Sequence, residues 1–356
     1  MAYHLLLSVK FDIEAMQRGA EREENPRHIL YGVSRRLNAE VHIPETSTSM
    51  IDRILANVAG EPAHWARARK LASTLNNSDV VFCAGDDSGL PLVLTCLAHR
   101  CRPKIIIWVM APERKRLHVL FRLLRNYIDV FIVNTEYKKE TILRNTGCPP
   151  ERVLIWPEQT DTEFFTPGEK RPRSRPLIFS AGREQRDYRT LAQATQNLNV
   201  DVEVCALSPN ATDSTPGTFP DPVPPNMTFH PYPWPEFRQA YRDADLVVVS
   251  LLENNYSAGA TTLLEAMACR RPVIVTNISG PARDFIQGGC VVGVEPGDVA
   301  GLRRAIEDVL AHPVEAAARA DRAFDRIQRK HSALVVREYL IEKMMALNPE
   351  LPNKAP

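Results

Sequence analysis

The sequence has no cysteine pair spaced C-x-x-C, no apolar run of membrane-spanning length, no G-x-G-x-x-G after a strand-like segment and almost no net charge. Each absence removes a class of protein. The seven cysteines (83, 96, 101, 148, 205, 269 and 290) are odd in number and scattered, which fits free thiols in a reducing compartment rather than a disulfide framework. A formal charge of +1 offers no field for nucleic acid or a strongly acidic partner. The opening "MAYHLLLSVKFDIE" has too short an apolar run for a signal peptide or a spanning helix, and it lacks basic flanks. These features predict a cytoplasmic protein. A Rossmann dehydrogenase is excluded by the missing glycine fingerprint. No clustered His/Cys/Asp set is evident, so no metal and no cofactor is expected.

What is present is an ordinary soluble composition, 44% hydrophobic and 24% charged, in a chain of 356 residues, long enough for two domains. Short apolar runs alternate with helical patterns. The first series is "YHLLLSV", "AEVHIP", "DVVFCAG", "KIIIWVM", "VFIVNT" and "VLIWP". After "TPGEKRPRSRP" (166–176), which reads as an interdomain linker, a second series follows: "LIFSAG", "VDVEVCAL", "MTFHPY", "DLVVVSL", "PVIVTN" and "CVVGVEP". Continuous apolar strands separated by helices predict parallel sheets covered on both faces. The expectation is an α/β chain with two doubly wound, Rossmann-like domains, 1–168 and 169–345, and a tail, 346–356. Facing domains of this kind would place ligands at strand ends, in the cleft between them. The Pro-rich stretch 208–226 reads as a long surface loop, and "HSALVVREYLIEKMMALNP" as a helix packed on a domain.

Two segments of the second half carry the chemistry. "FSAGREQRDYRTLAQA" turns at Gly182 and sets Arg183 and Arg186 before a helix that starts near Asp187. Arginines beside a helix N-terminus suit a diphosphate, which accepts bidentate contacts and favours the positive end of the dipole. Surface arginines with no ligand are the alternative. "NNYSAGATTLLEAMACRRPVIVTN" places Ser257, Ala258, Gly259, Ala260 and Thr261 at a helix start, where small side chains let ligand oxygens reach the backbone N–H groups. Glu265, one turn deeper among Leu263, Leu264, Ala266 and Met267, needs a partner if buried, and a ribose diol would supply one. The alternative is a glutamate turned to solvent.

Together these segments resemble the donor half of a GT-B glycosyltransferase of family 4, the glycosyl transferases group 1. "GREQRDYRTLAQA" is similar to that family's Gly-Arg segment, with Arg186 where a lysine usually holds the diphosphate. "SAGATTLLEAMACRRPVIVTNISGPARDFI" resembles its Glu-x7-Glu region, and "GGCVVGVEPGDVAGLRRAIEDVLAHP" its closing strand, turn and helix. "DVFIVNTEYKKETILRNTGCPPERVLIWPEQTDTEFFTP" is similar to the end of the acceptor domain. The chain departs from the pattern at four places. Ser257 stands at the first Glu of the pair, with Glu253 four residues earlier. The first strand is followed by no Gly-rich turn, Met110-Ala111-Pro112 replaces a histidine, and "WPEQTD" replaces Pro-Asn-Gly-Val-Asp.

The resemblance implies retaining transfer of a hexose from a nucleoside-diphosphate sugar, of UDP-glucose or GDP-mannose type, to a hydroxyl acceptor, with no metal required. Arg183, Arg186 and the helix tip at Gly259 would stabilise the leaving diphosphate. The donor would touch Gly182, Glu253, Ser257, Ala258, Gly259, Ala260, Thr261 and Glu265. A non-catalytic sugar-nucleotide-binding or scaffold protein on the same fold is the rival. In the first half, Asp86 and Asp87 of "CAGDDSGLP" end a strand-like run, and Asp87 is the candidate to orient or deprotonate an acceptor; a helix cap is the competing reading. The basic segment "ERKRLHVLFRLLRN" (113–126) is either a helix covering the sheet or a peripheral contact with anionic lipid. His28 and His42 fall near element ends and read as structural, and "DAD" (243–245) reads as a helix end rather than a metal motif. The acceptor, whether lipid, glycan or small molecule, is not specified by any motif.

Overall fold

The structure, a computed structural model, describes residues 2–206, 218–254, 258–278 and 280–347. Each of the twelve apolar runs becomes a strand. The first six are β1 (Tyr3–Leu6), β2 (Glu40–His42), β3 (Val80–Cys83), β4 (Lys104–Trp108), β5 (Val130–Val133) and β6 (Val153–Ile155). The second six are β7 (Leu177–Ala181), β8 (Asp201–Cys205), β9 (Met227–Phe229), β10 (Leu246–Val249), β11 (Val273–Thr276) and β12 (Val292–Val294). Helices of the first half are α1 (Ile13–Glu21), α2 (Ile29–Leu37), α3 (Met50–Leu55), α4 (Pro62–Ala72), α5 (Asp86–His99), α6 (Lys115–Leu124) and α7 (Glu136–Thr146). Those of the second are α8 (Tyr188–Thr195), α9 (Trp234–Asp243), α10 (Ala260–Ala268), α11 (Pro281–Gln287), α12 (Val299–Ala311), α13 (Pro313–Lys330) and α14 (Ala333–Ala346).

The strands form two six-stranded parallel sheets, ordered β2-β1-β3-β4-β5-β6 and β12-β11-β10-β7-β8-β9. Alternate residues of one strand feed opposite cores. In β3, Val81 and Cys83 join Ile105, Ile107 and Phe121, while Val80 and Phe82 join Leu5, Ile106 and Trp156 on the other face. In β10, Val247 and Val249 pack with Phe179, Leu263 and Phe285, whereas Leu246 and Val248 pack with Leu191, Ile274 and Ile306. Burial on both faces is why these strands carry no polar alternation. The exceptions are the edge strands β2, β9 and β12, each with an exposed position, and β8, where half-buried Asp201 and Glu203 alternate with apolar residues.

The chain divides into two compact units, one of residues up to 15, 28–157 and from 336 onward, the other of 16–27 and 158–335. Sequence reading put a single boundary after 168 and left 336–345 with the second domain. The packing explains the difference. Phe164 and Phe165 sit in the second core with Phe237 and Tyr241. The Arg-rich stretch read as a linker is fastened to the second unit: Asp243 accepts from the Arg171 backbone N–H at 2.9 Å and from its Nε at 2.7 Å, and Lys170 pairs with Asp245. Val336, Leu340, Ile341 and Met344 of α14 complete the first core instead, where the Trp156 indole donates to the Val336 carbonyl. "DAD" is accordingly the end of α9 and its following turn, committed to cations of its own unit.

Candidate functional site

In the second sheet the order of strands reverses between β7 and β10: β8 and β9 continue on one side, β11 and β12 on the other. Ligands of doubly wound sheets bind outside the carboxyl ends of the strands at this switch point, where neighbouring loops diverge. The two segments that follow β7 and β10 are the Arg183–Arg186 turn and the approach to α10.

Gly182 ends β7 with φ +93, and a Cβ there would lie 2.3 Å from Arg186 Nη2, so glycine answers both the backbone conformation and the close approach. Arg186 is buried. Its Nε donates to the Ala181 carbonyl at 2.7 Å, Nη1 to the Glu184 carbonyl at 2.8 Å and Nη2 to Thr262 Oγ1 at 3.0 Å. The guanidinium therefore stitches the turn to the first turn of α10. Arg183 contrasts with it. Only partly buried, it has an Nε that is enclosed and without a hydrogen-bond partner among the described residues. A buried guanidinium N–H left unpaired is costly, and an anionic ligand would satisfy it. Asp187 caps α8, accepting from the Thr190 N–H and from Thr218 Oγ1.

Gly259 is the N-cap of α10 at φ +78, and it brings no side chain to close the helix end. The first N–H groups of a helix lack intrahelical acceptors, so such an end attracts anions. Ala258 and Ala260 are buried and Thr261 is exposed. Thr262, overlooked in the sequence, is the residue of this turn that meets Arg186. Glu253 is exposed on the segment after β10, and Ser257 lies outside the described residues.

Glu265 is buried, and its Oε2 accepts from the Tyr241 hydroxyl at 2.8 Å. Burial pushes its carboxyl up to about 8, against the opposing pull of the Tyr241 hydrogen bond and the Arg186 charge. The buried alternative of the sequence reading is thus the one observed, and a protein hydroxyl meets the carboxylate. Nothing local in the sequence announces Tyr241, which comes from α9 and is fully enclosed beside Phe165, Phe179 and Phe237.

The first sheet reverses between β1 and β3, and Asp86 and Asp87 stand just beyond β3 as the first residues of α5. Gly85 takes the cap position, so neither aspartate is the N-cap. Asp86 is buried and accepts the Met110 N–H at 3.0 Å; burial, with the neighbouring Asp87 charge, holds its carboxyl above the usual range. Asp87 Oδ1 accepts from Ser8 Oγ at 2.6 Å and from the Ser88 N–H at 2.8 Å, leaving Oδ2 directed elsewhere, 3.9 Å from His64 Nε2. His64 is itself oriented: Nδ1 accepts the Glu61 N–H at 3.1 Å, so the Nε2 proton goes to the Ser8 carbonyl at 2.9 Å. A pocket of about 200 Å³ opens here, lined by Gly60, Glu61, Asp86, Asp87, Arg114 and Arg116 among others. Ser8, His64 and the two arginines of this pocket carry no spacing signal that would have marked them.

Of the basic helix, Leu117, Phe121 and Leu124 of α6 are buried on the sheet, while Val119 and Leu123 are exposed. His28 precedes α2 and His42 ends β2. All seven cysteines are free. No helix of the described residues is long and apolar enough to cross a membrane.

Residues 183–312 match the family described as "Glycosyl transferases group 1", a segment that starts at Arg183 and contains α10. A D-inositol 3-phosphate glycosyltransferase of Mycolicibacterium vanbaalenii is 27% identical over 215 residues, 51% of this chain and 46% of that protein. The chain thus spans about half the length of the curated relatives it matches. Among solved structures, the sucrose-phosphate synthase of Thermosynechococcus elongatus aligns with a TM-score of 0.72 at 14% identity, covering 98% of this chain and 99% of that one. An α,α-trehalose-phosphate synthase (UDP-forming) of Burkholderia vietnamiensis gives 0.72 at 12%, over 97% and 98%. Anabaena HepE in complex with UDP-glucose gives 0.68 at 11%, over 97% and 100%.

Proposed function

We propose, from a chain with the GT-B glycosyltransferase fold, that this protein is a retaining hexosyltransferase of family 4 type. It would move a hexose from a nucleoside-diphosphate sugar to a hydroxyl acceptor. The observation that carries the reading is the pair of elements at the β7–β10 switch point: Arg183, whose enclosed Nε has no hydrogen-bond partner among the described residues, and the start of α10, where Gly259 brings no capping side chain. Both offer fixed positive potential where a diphosphate gains negative charge as the glycosidic bond breaks, which is electrostatic preorganisation. In this reading Arg186 holds the turn in place and adds its charge from behind. Glu265 accepts the ribose hydroxyls, and Ala258, Gly259, Ala260 and Thr261 leave room for the sugar phosphate. The acceptor proton passes to the departing phosphate, so no protein base and no metal is required. UDP-glucose and GDP-mannose are the donors proposed first; HepE in complex with UDP-glucose supports the former.

For the acceptor we propose the first-unit pocket, with Asp87 Oδ2 orienting its hydroxyl. Peripheral contact with anionic lipid through 113–126 belongs to the same proposal, supported by exposed Val119 and Leu123 beside Arg116 and Arg122; co-sedimentation with anionic vesicles tests it.

The test is incubation of the purified chain with each nucleotide-sugar and a panel of acceptors, with nucleoside diphosphate release and product anomeric configuration as readouts. Transfer with retained configuration is the expected result. Donor binding with neither transfer nor hydrolysis across the panel would favour the non-catalytic, sugar-nucleotide-binding reading.

A further inference from the structure

Far from either switch point, two strands of the first unit bring three ligand-type side chains to one spot. Strands β1 and β2 pair in parallel, with His4 opposite Glu40 and Leu6 opposite His42. Side chains two residues apart in a strand share a face, so Glu40 and His42 both lie beside His4. His4 Nδ1 is 3.1 Å from His42 Nε2 and 3.7 Å from Glu40 Oε2, and His42 Nε2 is 3.8 Å from the same carboxylate oxygen. Ligand atoms about 2.0–2.1 Å from a tetrahedral zinc ion are about 3.3 Å apart, so this triangle is close to that of a bound ion.

The surroundings of His4 point the same way. His4 is buried, and its Nε2 is enclosed with no hydrogen-bond partner among the described residues, 3.8 Å from Asp79 Oδ2. The Asp79 carboxylate is itself fixed, accepting the Ala2 N–H at 2.7 Å and the Asn76 N–H at 2.9 Å. A proton on His4 Nε2 faces that carboxylate favourably and leaves the Nδ1 lone pair directed at His42. A metal takes the Nδ1 and His42 Nε2 lone pairs together, and a carboxylate of the kind that partners metal-bound imidazoles lies 3.8 Å behind His4. Glu40 is solvent-exposed on the edge strand, which leaves an entry path and a fourth position for water.

We propose that His4, Glu40 and His42 form a divalent-metal site, of zinc chemistry, that clips the edge strand β2 to β1. Two imidazoles and one carboxylate suit a borderline ion such as Zn²⁺ better than Mg²⁺ or Ca²⁺, which prefer oxygen ligands. The site shares no residue with the Asp87 pocket or with Arg183. Its role is structural, and its outcome is independent of the glycosyltransferase reading.

The full chain, freed of metal by chelation, is titrated with Zn²⁺ by calorimetry and with Co²⁺ followed by visible absorption. The expected result is one saturable ion, a four-coordinate Co²⁺ spectrum without thiolate charge-transfer bands, and a higher melting temperature with Zn²⁺. His42→Ala and Glu40→Ala, both on the edge strand β2, each weaken binding at least about tenfold. No saturable ion, or affinity unchanged in His42→Ala, would overturn the proposal and leave His4 and His42 as a hydrogen-bonded pair. Thiolate bands in the Co²⁺ spectrum would overturn it too, since they would place the ion on cysteine.

Discussion

Arg186 Nη2 donates to Thr262 Oγ1 over 3.0 Å, joining the turn after β7 to the first turn of α10. The two segments singled out in the sequence are therefore one structural object, although they are 76 positions apart. The other bonds of Arg186 go to the Ala181 and Glu184 main-chain carbonyls, so its removal takes three hydrogen bonds from the turn at once.

That difference separates two arginines that look alike in the sequence. Arg186→Ala should cost about 3 kcal/mol of stability through the lost buried network. Arg183→Ala should change stability by no more than about 1 kcal/mol, yet raise the barrier to sugar transfer by about 2–4 kcal/mol, as loss of an oxyanion donor does. Urea denaturation and initial rates on the same two variants check the split. Equal destabilisation of both would contradict it.

Gly259 tests the helix tip. At φ +78, with an added Cβ only 2.8 Å from Val249 Cγ1, Gly259→Ala is expected to cost about 1–3 kcal/mol. It should also weaken nucleotide binding, because the helix start must shift. A variant as stable as the parent, binding nucleotide equally well, would show that this backbone conformation is not required.

Glu265 sets a pH dependence for the donor. Its carboxyl, raised by burial to about 8, is largely protonated at pH 7 in the free protein. Ribose hydroxyls donating to it favour the charged form, so nucleotide binding should release a proton below pH 8 and tighten as pH rises toward that value. Calorimetry in buffers of different ionisation enthalpy measures the release. Glu265→Gln should abolish it, and proton uptake or no exchange in the parent would contradict the assignment.

His28 predicts how stability responds to acid. Burial lowers it to about 4 from the ordinary 6.5, so the folded state binds fewer protons than the unfolded chain between those values. Stability is then full above pH 6.5 and falls as pH drops toward 4, by about 2 kcal/mol between pH 7 and 5 from this group alone. The stability difference between the parent and His28→Gln should therefore change by that amount over this interval. A pH-independent difference would mean that His28 is solvated and free to protonate.

Most strands were legible because their burial leaves a continuous apolar signature, while the short edge strands β9 and β12, partly exposed, were still marked by brief apolar runs between turns. The start of α8 at Asp187 and of α10 at Gly259 could be read from capping chemistry and from small residues at a turn. Less visible were relationships made only by folding. Thr262 is ordinary until Arg186 arrives from another loop, and Tyr241 is one aromatic among several until its hydroxyl meets Glu265. Phe164 and Phe165 moved the domain boundary because a linker-like composition says nothing about where two neighbouring rings are buried. In the first unit, the Ser8–Asp87–His64 arrangement is assembled from three separate segments, none with a characteristic spacing.

The most direct measurement is calorimetric titration of the parent and of Arg183→Ala with UDP, GDP, ADP and their hexose conjugates. The expected result is saturable binding of one nucleotide by the parent and at least about tenfold weaker binding by a normally folded Arg183→Ala. Binding of none of them, or binding unaltered by loss of Arg183, would contradict the claim that the β7–β10 switch point holds the donor diphosphate.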